Sequence, residues 1–271
     1  MNLITQWVTH ARDGQPMRAY LAVPAAARSP LPAVLVIQEI WGPDAHIQDV
    51  TERLATAGYA ALAPDLYSRG GRAPVLAPER VEAVKAFLDT VPPAAWADRA
   101  ALDAALAREG PRAQQLGETM GALFAPRDSE GAVLDLLAWA EHLAEAPASR
   151  GMPLAAIGFC MGGALAFTLA TRLERLGAAL VFYGAAPPPE DMNRIRCPVH
   201  GFYGGEDRRI TGALPAVRSA MEAAGRRFLT RVYPGAGHAF FNDTRRSYDL
   251  AAARDAWARS LSVLAETLAQ G

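Results

Sequence analysis

Gly158-Phe159-Cys160-Met161-Gly162-Gly163 follows a short apolar run, Leu154-Ala155-Ala156-Ile157, and precedes an apolar helical pattern, Ala164–Ala170. Strand, tight glycine-rich turn and helix in that order make a nucleophile elbow. The middle residue of such a turn is held in a strained backbone conformation with its side chain presented outward. Glycines two before and two after it let strand and helix pass without their β-carbons colliding. Serine is the usual occupant; here it is Cys160.

Outward from the elbow the chain alternates between strand and helix patterns. Leu3–Thr9 and Met17–Val23 read as a hairpin around Asp13-Gly14. Ala33–Ile37 is a continuous apolar run, the mark of a strand buried on both faces. Asp44 caps a helix expected over 44–57, with Ile47, Val50 and Leu54 at helical spacing. Tyr59–Ala63 is the next strand. Residues 74–128 carry no strand signal: Val81, Val84, Phe87 and Leu88, then Leu102 and Leu106, then Leu116, Met120 and Leu123 form three helical faces. Pro92-Pro93 and Gly110-Pro111 punctuate them. Helices are expected at Val133–Leu143, after the elbow, near Leu214–Ala224 and near Tyr248–Ala269. Strands are expected at Leu154–Ile157, Ala178–Tyr183, Val199–Tyr203 and Phe228–Tyr233. The pattern predicts one α/β domain over residues 1–271. It has a mostly parallel central sheet flanked by helices, an N-terminal β-hairpin and a helical insertion at about 74–128.

Composition narrows the function classes. The 271 residues are 51% hydrophobic and 20% charged, with a net charge of −1. That leaves no global electrostatic attraction for nucleic acid or an anionic membrane. No apolar run approaches the roughly 20 residues of a spanning helix. The first residues lack a basic start and an apolar signal core, so a cytoplasmic location is expected. Two cysteines are too few for a disulfide framework, and their spacing fits no zinc motif. Cys197, beside Pro198 at the mouth of a strand, reads as a small buried hydrophobe.

In open α/β sheets, ligands sit at the carboxyl ends of the strands. Val199–Tyr203 runs into Gly204-Gly205-Glu206-Asp207, and Phe228–Tyr233 runs into Pro234-Gly235-Ala236-Gly237-His238. Nucleophile, acid and histidine therefore appear in α/β-hydrolase order as Cys160, Asp207 and His238. The thiolate is the reactive form of cysteine, and the helix N-terminus after the elbow favours it. His238 is expected to take the thiol proton, and Asp207 to orient the imidazole. The backbone N–H of Met161 and that of Ile40, in the loop Gln38-Glu39-Ile40-Trp41-Gly42, are the candidate oxyanion donors. Glu39 in that loop is expected beside the thiol, where a negative charge disfavours free thiolate; a solvated loop glutamate is its bland alternative. His10, His46, His142 and His200 read as structural.

Five stretches together resemble the dienelactone hydrolase (carboxymethylenebutenolidase) family: 38–42, Pro64-Asp65-Leu66-Tyr67-Ser68-Arg69, 158–163, 204–207 and Gly237-His238-Ala239-Phe240. The resemblance runs from about residue 3 to the C-terminal helix, apart from the insertion. It implies a Cys-Asp-His triad, with Glu39 holding or abstracting the thiol proton until substrate displaces it. It implies that Arg69 pairs with a substrate carboxylate and that Trp41, Tyr67, Ala239 and Phe240 line the substrate site. Ala239 stands where the family's characterised dienelactone enzymes carry a carboxylate-holding serine, which leaves the substrate open; Arg72 is a second cation nearby. The expected function is opening of lactones or cleavage of activated esters through a Cys160 thioester. The expected substrate is a small molecule, and no metal, organic cofactor, nucleic acid or membrane is expected, in a monomer or homodimer. A broad small-ester carboxylesterase is the alternative reading. A non-hydrolytic thiol redox sensor or ligand-binding pseudoenzyme is the alternative of another class.

Overall fold

The computed structural model describes residues 2–28, 30–92 and 98–269, so Pro93 of the expected Pro92-Pro93 break lies outside the described residues. Eight strands form one sheet in the order β1-β2-β4-β3-β5-β6-β7-β8. They are β1 (Leu3–Arg12), β2 (Gln15–Pro24), β3 (Ala33–Ile37), β4 (Ala60–Pro64), β5 (Leu154–Phe159), β6 (Leu176–Phe182), β7 (Val199–Gly204) and β8 (Phe228–Tyr233). From β4 to β8 every neighbouring pair is parallel, while β1 and β2 pair antiparallel, as do β2 and β4. This is the α/β-hydrolase fold. The hairpin is longer than its hydrophobic pattern suggests. Its ladder pairs Leu3 with Pro24 through Arg12 with Gln15, so backbone pairing carries the strands past the last apolar residue.

The strands explain the layers. In β3 every residue is buried, and successive side chains point to opposite faces. Leu35 and Ile37 join one core with Leu136, Trp139 and Leu143 of α5 (Ser129–Glu145) and with Leu165 and Phe167 of α6 (Met161–Ala170). Val34 and Val36 join the other. There they meet Ile47, Val50 and Leu54 of α1 (Ala45–Thr56) and Ala256, Val263 and Leu264 of α9 (Leu250–Leu268). Asp44 caps α1 as its pattern predicts, accepting from the Ile47 N–H at 3.1 Å. The last helix starts at Leu250 rather than Tyr248 because Asp249 is its N-cap, accepting from the Ala252 N–H.

The expected insertion is helical: α2 (Pro78–Thr90), α3 (Arg99–Ala107) and α4 (Ala113–Phe124). Val81, Val84, Phe87 and Leu88 pack on Leu116, Met120 and Leu123 in a third core, with Trp41 from the loop after β3 at its base. The buried Lys85 ammonium anchors α2 to the α1 cap, 2.7 Å from Asp44 Oδ2. Between β7 and β8 lie α7 (Arg208–Thr211) and α8 (Leu214–Ala223), with Leu214 and Met221 joining the α5/α6 core. Among the described residues no helix is long and apolar enough to cross a membrane, and no group of three His, Cys, Asp or Glu is placed to hold a metal.

Candidate active site

Each parallel strand from β3 onward delivers a residue of interest just past its carboxyl end. β5 ends at Phe159, and Cys160 adopts φ 55° and ψ −114° before α6 begins at Met161. The turn closes because its neighbours lack side chains. A β-carbon on Gly158 would lie 1.9 Å from the Gly162 carbonyl oxygen, and one on Gly162 would lie 2.2 Å from that of Ile37. The half-buried thiol of Cys160 is free. The Met161 N–H opens α6, where the first turn has no intrahelical acceptor.

The structure brings Cys160, Asp207 and His238 together. His238 Nδ1 lies 2.5 Å from Asp207 Oδ2, and the Cys160 thiol lies close enough to the imidazole to raise its proton affinity. Burial opposes the charged imidazole, yet the contacts with Asp207 and Cys160 and the charges beside it outweigh burial, lifting His238 to about 10. The Tyr183 ring stands edge-on to the imidazole, with centroids 5.1 Å apart.

Glu39 is 2% exposed, so the solvated alternative does not apply. Its Oε1 accepts from the Tyr183 hydroxyl at 3.1 Å and its Oε2 from Asn242 Nδ2 at 2.7 Å, both within the protein interior. Both oxygens are thus engaged by neutral donors. Tyr183 and Asn242 escaped the sequence reading. Tyr183 directly follows β6, the same strand-exit position as Asp207 and His238, but in sequence it continues the apolar run of 178–183 and reads as the strand's last residue. Its φ of 41° shows the chain has already turned. Asn242 has no local signal, lying 203 positions from its partner.

The loop after β4 is pinned by Asp65, which takes Arg18 Nε at 3.0 Å and Arg72 Nη2 at 2.7 Å. Arg72 also donates to the Leu76 carbonyl, so it is a structural cation rather than a second anion reader. The Tyr67 hydroxyl donates to the Ile40 carbonyl at 2.6 Å, tying this loop to the one after β3; burial pushes that phenol up to about 12. Arg69 is 37% exposed and lies 3.3 Å from buried Asp135. Tyr67, Arg69 and Met161 line a cavity of about 330 Å³ together with Arg127, Asp128, Ser129 and Asp135; Cys160 and His238 are not among its walls.

Two expected lining residues pack elsewhere. Trp41 sits in the insertion's core, edge-on to Phe124 and under the Arg245 guanidinium. Phe240 is fully buried against Tyr183, Phe182 and Tyr233, because the chain turns inward after His238. Ala239 is where it turns, at φ 58°. Cys197 is buried as expected, and burial pushes its thiol up to about 11.

Residues 17–268 match the model of the dienelactone hydrolase family. A protein of Saccharolobus solfataricus named "Putative carboxymethylenebutenolidase" is 38% identical over 93% of this chain and 95% of its own length. One of the same name from Escherichia coli K12 is 32% identical over 92% of this chain and 82% of its own. The crystal structure titled "Putative Dienelactone Hydrolase" from Klebsiella pneumoniae superposes over the whole of both chains with a TM-score of 0.75 at 28% identity.

Proposed function

The chain belongs to the dienelactone hydrolase family and is a hydrolase of the ester and lactone type, and we propose that it opens lactones or activated esters through a thioester on Cys160. The observation that carries this reading is the Asp207–His238 hydrogen bond with Cys160 beside the imidazole, at the mouth of a strained elbow. Cys160 Sγ attacks the carbonyl carbon while the oxygen takes up negative charge, held by the N–H groups of Met161 and Ile40. The Tyr67 hydroxyl holds the Ile40 carbonyl, in the peptide that follows the Ile40 N–H, and so ties that loop in place. The tetrahedral intermediate collapses, the C–O bond breaks, and the leaving oxygen takes the His238 proton.

The second half depends on what the sulfur has become. As a thioester it no longer supports the imidazolium by charge. His238, having given its proton to the leaving oxygen, is then a neutral imidazole free to accept one from water, and it holds that proton less tightly than in the resting site. Hydroxide adds to the thioester, and the thiolate leaves as the acid forms. Thiolate is a better leaving group than an amine, so lactones and enol esters suit this site and amides do not. Glu39 is a positioning residue in this scheme: with Tyr183 and Asn242 holding both its oxygens, the thiol proton is left to His238.

Rapid mixing with a chromogenic ester tests the reading. A burst of about one leaving group per chain is expected, with mass added at Cys160. Cys160→Ala should lower turnover about a thousandfold or more. Equal activity in both proteins would end the thioester proposal. A broad esterase would prefer simple alkyl esters to lactones in the same assay.

A further inference from the structure

We propose that His46 and Asp243 are positioning residues for the reaction: their contact fastens the loop after β8 to α1, and so fixes where His238 and Asn242 stand at the site. The proposal rests on the hydrolase reading above and extends its machinery outwards, to a second acid–imidazole pair that the reaction scheme does not use.

His46 sits in the first turn of α1 and is 1% exposed. Its Nδ1 lies 3.0 Å from Asp243 Oδ1. A carboxylate oxygen accepts, so Nδ1 carries the hydrogen. The other ring nitrogen, Nε2, is enclosed and has no hydrogen-bond partner among the described residues. A buried polar atom left unpaired lowers stability. Packing alone therefore does not account for an imidazole here, since a phenylalanine would fill the space with no orphaned nitrogen. What the imidazole adds is the contact through Nδ1. That hydrogen bond is also the main reason why the Asp243 carboxyl is held below the usual carboxylate range.

Both ends of the contact lie next to site residues along the chain. The His46 ring stands edge-on to Phe159, the residue before Cys160, and to Phe241, with centroids 5.9 and 6.0 Å apart. Phe241 stacks on Phe159 at 5.4 Å, and the Arg53 guanidinium of α1 lies 5.7 Å from the Phe241 centroid. The helix thus grips the segment just after His238 through one polar contact and two ring contacts. That segment is closed on itself: Ala239 turns at φ 58°, and its carbonyl accepts from the Asn242 N–H at 3.0 Å. A shift of Asp243 is therefore passed back to Asn242 and His238 rather than absorbed between them. Asn242 Nδ2 holds Glu39 at 2.7 Å, while its Oδ1 accepts from the Thr244 N–H at 3.0 Å, so the amide is oriented by backbone on the far side of Asp243. Misplacing a catalytic group by about 1 Å costs up to about a hundredfold in rate, so a distant anchor of this kind acts on turnover.

The test follows kcat and KM for a chromogenic ester, and separately the rate at which iodoacetamide alkylates Cys160, identified by peptide mass. Urea unfolding is measured on each protein. His46→Phe keeps a ring against Phe159 and Phe241 and loses only the donor. It should lower kcat about tenfold or more, leave KM within about twofold, and slow alkylation. His46→Asn, whose amide places a donor where Nδ1 stood, should recover much of both rates. His46→Phe combined with Asp243→Ala should be no worse than the poorer single variant, because the two residues act through one contact. Val50→Ala removes buried packing from the same helix and should lower stability while kcat stays near the wild type. Unchanged kcat and alkylation in His46→Phe, additive losses in the double variant, or an equal fall of kcat in Val50→Ala overturns the proposal. Alkylation needs no ester. If the wild type does not cleave the ester and His46→Phe still slows the reaction of Cys160, the positioning pair stands and the hydrolase reading alone is lost.

Discussion

Glu39 is the residue whose surroundings say most about the resting site. A fully enclosed carboxylate is costly unless donors satisfy it, and here they are the Tyr183 hydroxyl and the Asn242 amide. Tyr183→Phe removes one donor from Oε1 of a carboxylate that is enclosed by protein. The expected loss is about 1–3 kcal/mol of stability, read from urea unfolding, with a fall in kcat as the freed carboxylate turns towards the sulfur. Unchanged stability and activity would mean that Glu39 does not depend on Tyr183. The main site residues were legible at this scale because each is marked by backbone geometry: Cys160 by its glycines, Asp207 and His238 by the strands before them. Tyr183 and Asn242 were not, because their partner Glu39 is distant in sequence and no spacing encodes the contact. Phe240 was misread for a related reason. Its place next to His238 says nothing of which way the chain turns, and φ at Ala239 decides that.

At the scale of elements, the elbow is a packing device between β5, α6 and β3. A β-carbon on Gly162 would stand 2.2 Å from the Ile37 carbonyl and 2.4 Å from that of Gln38. Both are backbone atoms of β3 and its exit loop, so no side chain can move aside. Gly162→Ala should therefore cost about 3 kcal/mol or more, and because it pushes α6 off the Gln38–Glu39 loop, activity should fall further than stability alone explains. Retention of wild-type unfolding in urea would contradict this close approach. The strands were the clearest elements in the sequence because β3, β4 and β5 are buried on both faces and read as unbroken apolar runs. The helical character of 74–128 was also legible, from three separate apolar faces. What that insertion packs against was not: Trp41 at its base and Lys85 reaching Asp44 are long-range contacts that periodicity cannot express.

Over the whole molecule, the histidines set opposite limits on stability with pH. His142 is half-buried beside His10 and Trp139 where α5 meets the hairpin. Burial, and then the charge of His10, hold its pKa below the usual imidazole range. His200 in β7 is lowered by burial and then by Arg227. For both, the unfolded chain binds protons more readily than the folded one, so stability is lost as pH falls through about 6.5, the unfolded value. His238 is the reverse case. Its folded value of about 10 exceeds the unfolded value, so its contribution is full below about 6.5 and is lost as pH rises towards 10. The expected profile of Tm is a maximum near neutrality with a flank on each side. Replacing His142 with Phe, which keeps an aromatic ring against Trp139, should flatten the acid flank. Asp207→Asn removes the charged partner of the imidazole and should flatten the alkaline one. His142 and Asp207 lie in separate parts of the fold, one at the hairpin and one at a strand exit, so the double variant should show both changes by simple addition, with the His200 share of the acid flank remaining. An alkaline flank that survives Asp207→Asn would show that His238 does not draw its proton affinity from that carboxylate, and the Asp207–His238–Cys160 line would lose its role in holding the proton.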